Sequence, residues 1–92
     1  MPILPTDIEN AIACLRENGA TRVILFGSAL ESLQGARDLD LACDGLAGWK
    51  FFEASAKLEK VVSAPVDLFP LSPPSRFTRY IEKTGRLLYE RH

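Results

Sequence analysis

The sequence predicts an α/β chain of the α+β kind, in which a single mixed sheet of about four strands has helices packed against it, as one domain over residues 1–92. Two observations predict it. Stretches with apolar residues at helical spacing take turns along the chain with short apolar or alternating runs, in the order helix, strand, short helix, strand, helix, strand, helix, strand. The 92 residues also suffice for one hydrophobic core that buries about two-thirds of the unfolded surface, with no room for a second, substrate-binding domain.

Thr6-Asp7-Ile8-Glu9 has the T-x-x-E pattern of a capping box, in which hydroxyl and carboxylate satisfy the first free N–H groups of a helix. Ile8, Ala11, Ile12 and Leu15 follow at helical spacing, and Asn18-Gly19 supplies a left-handed ending, which predicts a helix over 7–18. Val23-Ile24-Leu25-Phe26, bounded by Gly19 and Gly27, reads as a strand covered on both faces and therefore central in the sheet. Ser28 to Leu33 has space for a turn or two of helix before Gly35 interrupts it.

Asp38-Leu39-Asp40-Leu41-Ala42-Cys43 alternates through its first four positions, so Leu39, Leu41 and Cys43 face one way and Asp38 and Asp40 the other. Phe51, Ala54, Leu58 and Val61 mark a helix over 48–62, with Trp49 and Phe52 expected to widen its buried stripe. Pro65 to Phe69 reads as a third strand, stopped by Pro70 and the Ser72-Pro73-Pro74 cluster. Phe77, Tyr80, Ile81 and Thr84 mark a short helix ending at Gly85, and Arg86-Leu87-Leu88-Tyr89 is expected as a last, edge strand.

Hydrophobic residues make up 47% of the chain and charged residues 25%, the balance of a soluble globular protein. No apolar run reaches the roughly 18 residues of a membrane span, and no leader pattern opens the chain, so a cytoplasmic protein is expected. Cys14 and Cys43, without C-x-x-C spacing, are expected as buried free thiols. A net charge of -1 argues against a protein that coats nucleic acid. Residues 76–92 are nonetheless basic (Arg76, Arg79, Lys83, Arg86, Arg91), which reads as a solvated face or a surface for phosphates or an acidic partner. His92 is expected to fray at the terminus, Tyr80 and Tyr89 to pack, and Asp44 to belong to an Asp44-Gly45 turn.

The residues that suggest chemistry are few. Gly27-Ser28 follows the central strand and opens a short helical stretch, where a glycine admits a ligand close to the backbone and free N–H groups attract phosphate. Asp38 and Asp40, two residues apart on a strand, project from one face about 6.5–7 Å apart at the backbone. Two such carboxylates repel unless a cation or a solvated edge relieves the charge. Asp67 interrupts an otherwise apolar strand, which calls either for an ion pair with Arg22 or Arg37 or for a place beside the other two acids. Three converging carboxylates are hard oxygen ligands suited to Mg²⁺ or Mn²⁺.

The combined pattern, G-S-x9-D-x-D followed by an acid on the third strand, resembles the signature of the DNA polymerase beta-like nucleotidyltransferase superfamily. Within it the chain is similar to the minimal nucleotidyltransferases (MNT) encoded beside HEPN-domain proteins, from the first helix to the closing G-R-L-L-Y-E. The resemblance implies a polymerase beta palm-like fold. It implies that Gly27 and Ser28 hold the β- and γ-phosphates of ATP, that Asp38 and Asp40 bind the metals, and that Asp67 completes the site and helps activate an attacking hydroxyl. It further implies AMP transfer to a hydroxyl of a partner protein, a tyrosine of a HEPN-type toxin, with the chain acting as antitoxin.

Many relatives continue the turn as R-A-R-G, where this chain has Ala29-Leu30-Glu31-Ser32. That departure is the ground for a second expectation, a pseudoenzyme that neutralises its partner by binding alone. A domain whose aspartates are surface features is the third. No membrane contact and no direct nucleic-acid binding are expected, and the sequence leaves a homo-oligomer open.

Overall fold

A computed structural model describes residues 3–91, so the expectation for His92 lies outside the described residues. The elements are α1 (Pro5–Glu17), β1 (Arg22–Phe26), α2 (Ser28–Glu31), β2 (Leu39–Asp44), α3 (Trp49–Val61), β3 (Val66–Pro70), α4 (Arg76–Thr84) and β4 (Arg86–Glu90), in the order the sequence predicts. They form one four-stranded sheet, order β3-β2-β1-β4. β1 runs antiparallel to both β2 and β4, while β2 and β3 are parallel and joined by the α3 crossover. The sheet is thus mixed, with β1 inside it and β3 and β4 at its edges.

One face of the sheet carries the larger core. Val23 and Leu25 of β1 and Leu39, Leu41 and Cys43 of β2 meet Ala11 and Leu15 of α1 and Ala54 and Leu58 of α3. The other face holds Ile24, Ala42, Leu71 and Ile81, the last from α4. The continuous apolar run of β1 is therefore required by burial on both sides, since Val23, Ile24 and Leu25 are all buried. Arg22 joins three elements, reaching Glu82 of α4 at 2.8 Å and Asp44 of β2 at 3.7 Å. Asp44 also accepts from Gly45 N, as its turn position suggests. Cys14 and Cys43 are buried and free. Among the described residues no helix is long and apolar enough to cross a membrane.

Three expectations need correction, and one open alternative closes. The first helix starts at Pro5, and Asp7 rather than Glu9 reaches back to the backbone of the residue before the helix, accepting from Leu4 N at 3.0 Å. Pro5 has its φ preset for the first helical position, and Asp7 turns inward because Ser63 offers it two more donors, N at 2.9 Å and Oγ at 2.9–3.0 Å.

Trp49 and Phe52 do not widen the buried stripe of α3, being 69% and 73% exposed. At about 100° per residue Phe52 sits roughly 100° and Trp49 about 160° around the helix from Phe51, outside the stripe of Ala54 and Leu58. Tyr80 does not pack but is 63% exposed, whereas Tyr89 lies against the larger core as expected. Asp67 makes no ion pair with Arg22 or Arg37 among the described residues; Arg22 is taken by Glu82 and Asp44.

Candidate active site

Parallel pairing of β2 and β3 places Asp40 directly opposite Asp67. Side chains opposite one another in a ladder leave the same face, so the two carboxylates stand side by side on the face away from α1 and α3. Asp38 lies just before β2, two residues from Asp40, and is exposed. Asp67 is exposed too, because β3 is an edge strand. This position makes an acid in β3 less costly than its apolar neighbours suggest. Asp40 is half-buried, and burial raises its pKa above the ordinary carboxylate value; the charges of Asp67 and then Asp38 push in the same direction. Burial is the larger cause of that shift, and the two neighbouring acids add like-charge repulsion to it.

Gly27 lies at the end of β1 over the same acid. Its φ of +78° is in the region that favours glycine, and a Cβ placed there would overlap Oδ2 of Asp40. The missing side chain at Gly27 therefore lets the Asp40 carboxylate pack directly against the turn. Gly27→Ala should fold with strain and displace Asp40, lowering stability by about 1–2 kcal/mol. A thermal melt should record it as a loss of about 8 °C.

Ser28 follows as the first residue of α2 and is exposed. A cleft of ≈ 400 Å³ opens beside it, with Gly27, Ser28 and Glu31 on one side and Tyr80 and Thr84 of α4 on the other. A larger groove of ≈ 760 Å³ runs between α1 and α3, past Asn10 and Lys57, and none of the three aspartates lines either cavity. The chemistry of the donors, not the size of the cavity, decides which is the candidate site.

Sequence reasoning missed an aromatic wall. Phe26, Phe69 and Phe77 meet edge to face with ring centroids 5.5–5.8 Å apart. Phe26 is opposite Asp40 in the ladder, and Phe69 shares a face with Asp67, so the trio borders the acids. The signal was present in the period of two that places Phe69 on the same side as Asp67. Phe77, 48% exposed, forms its outer edge on α4.

Among the described residues no three acidic, His or Cys side chains close into a cage for a metal ion. The aspartates form an open row of hard oxygen donors. Such a row fits Mg²⁺, which is commonly held by one or two carboxylates with the remaining oxygens from water and substrate phosphates.

No protein-family model and no curated protein matches the chain. Solved structures do. A toxin–antitoxin complex with AMP-PNP matches with a TM-score of 0.74 and 26% identity, over 90% of this chain and 73% of that one. A mutant MntA-HpeT toxin–antitoxin complex matches with a TM-score of 0.72 and 26% identity, over 89% and 71%. A complex of tri-AMPylated Shewanella oneidensis HEPN toxin with MNT antitoxin gives 0.69 and 24% identity, over 91% and 70%. Across nine-tenths of its length, the chain has the fold of the minimal nucleotidyltransferase antitoxins that its sequence resembles.

Proposed function

We propose that the chain is a nucleotidyltransferase that moves AMP from ATP to a hydroxyl of a partner protein, a tyrosine of a HEPN-type toxin, and so acts as an antitoxin. The observation that carries this reading is the row of Asp40 and Asp67 on one face, with Asp40 packed against the Gly27 turn. The AMP-PNP complex and the tri-AMPylated toxin support it as chemistry found in proteins of the same fold.

In this reading Gly27 and Ser28 orient the β- and γ-phosphates. Asp38, Asp40 and Asp67 would supply carboxylate oxygens to Mg²⁺ or Mn²⁺, which when bound would stabilise the charge of an in-line displacement at the α-phosphorus. Asp67, on the edge strand, meets the incoming hydroxyl and takes its proton. The new P–O bond forms as the bond to pyrophosphate breaks. The raised pKa of Asp40 is in keeping with a site for a cation, since a positive charge offsets the desolvation that burial imposes and the repulsion from Asp67 and Asp38.

The test is to incubate the purified chain with its HEPN-type partner, ATP and Mg²⁺ and to weigh the intact partner. A gain of one or more adenylyl groups is expected, and no gain would sink the proposal. The second reading, neutralisation by binding alone, is favoured by Ala29-Leu30-Glu31, where the turn brings an acid and no cation toward the phosphates. Unmodified partner that is nevertheless inhibited would select it.

A further inference from the structure

The cleft between α2 and α4 has a composition that a triphosphate site alone does not explain. Glu31 is the only charged side chain lining it among the described residues. Glu31 is exposed and has no ion pair among the described residues. Across from it stands Tyr80, with its ring open to solvent and its hydroxyl in none of the hydrogen bonds of the described residues. Ser28 and Thr84 add hydroxyl oxygens. Arg86 borders a neighbouring groove on the far side of α2 that Glu31 also lines, yet the two do not pair.

A cleft lined by a carboxylate, an aromatic ring and two hydroxyl groups is complementary to a cation. The carboxylate forms charge-assisted hydrogen bonds and the ring gives a cation–π contact. A planar guanidinium matches both better than an ammonium does. An acid here is also a liability to a nearby triphosphate unless a positive charge lies between them.

We infer that this cleft seats an arginine side chain presented by the partner protein, held between Glu31 and Tyr80 and reaching the terminal phosphates above Ser28. The inference rests on the nucleotidyltransferase reading for the position of the phosphates. The positive charge missing from the turn is then supplied in trans, and the nucleotide site is complete only in the complex. Glu31 acts as a positioning residue for that arginine and touches no reacting atom.

The experiment measures the dissociation constant of the complex between this chain and its HEPN-type partner, at low and physiological salt. Glu31→Gln should weaken the complex about tenfold, the worth of one charge-assisted hydrogen bond, and flatten its salt dependence. Tyr80→Leu should weaken it about threefold through the lost ring. Both positions are exposed, so the fold should not suffer. Glu59→Gln, an exposed acid on α3, serves as control and should change nothing. ATP with Mg²⁺ should bind the wild-type complex more tightly than the isolated chain, and Glu31→Gln should remove that gain. If Glu31→Gln behaves as Glu59→Gln in both affinity and salt dependence, the inference is overturned. These readouts score assembly rather than chemistry. AMP transfer by the wild-type complex together with a Glu31→Gln complex of unchanged affinity and salt dependence would sink the inference alone, whereas assembly through Glu31 without AMP transfer would sink only the enzymatic reading.

Discussion

Asp40→Asn is expected to abolish AMP transfer while leaving the protein slightly more stable. The asparagine keeps the shape of the side chain but removes the charge that would hold a divalent cation. Loss of that electrostatic stabilisation is worth several kcal/mol at the transition state, so the transfer rate should fall at least about a thousandfold. Stability should move the other way. Asp40 is pushed toward its neutral form by burial and by its two acidic neighbours, so a neutral isostere relieves repulsion in the metal-free protein. The relief for partly solvated like charges is about 0.5 kcal/mol, a rise of about 3 °C in Tm for a domain of this size. Intact-mass measurement of the partner and a melt in chelator check the two halves. A variant that still modifies its partner at the wild-type rate would remove Asp40 from the chemistry.

Asp7→Ala is expected to have the largest effect on stability. Asp7 is only 3% exposed and accepts from Leu4 N, Ser63 N and Ser63 Oγ, tying the start of α1 to the segment after α3. Alanine leaves two backbone N–H groups without their acceptor, at a cost of about 3 kcal/mol in total. The melting temperature should drop by about 15 °C.

Burial alone would raise the Asp7 pKa, but the hydrogen bonds from Ser63 N, Leu4 N and Ser63 Oγ outweigh it and hold the carboxyl below its ordinary value. A carboxyl depressed on folding contributes stability that is fully present above its unfolded pKa, about 3.9. That contribution is lost as pH falls through the lower folded value. The gap between wild type and Asp7→Ala in urea midpoint should therefore be wide at neutral pH and narrow below about pH 4. A gap independent of pH would show that shape, not charge, is what Asp7 supplies.

The order of elements was legible because each carries a local cause. Gly19 and Gly27 bracket β1, and Gly85 separates α4 from β4. The meeting of Asp40 with Asp67 was legible because an acid in an apolar strand needs a reason. What escaped was decided at a distance. The inward turn of Asp7 at the start of α1 is set by Ser63, which is remote in sequence, and no local pattern announces that partner. The spacing of apolar residues gave α3 its length but not which residues face the core, because Trp49 and Phe52 add hydrophobicity without lying on the stripe of Ala54 and Leu58. The aromatic wall escaped because Phe77 joins it only once α4 has packed across the sheet.

The parallel pairing of β2 with β3 has a consequence for how the site comes into being. Unlike a hairpin, it cannot close until the whole α3 crossover has been threaded and docked, so its loop-closure entropy is met late and all at once. Any fragment ending before Val66 carries the glycine bend and two of the acids but lacks Asp67. During synthesis or partial unfolding, the competence of the site should appear and vanish together with the docking of that last parallel strand.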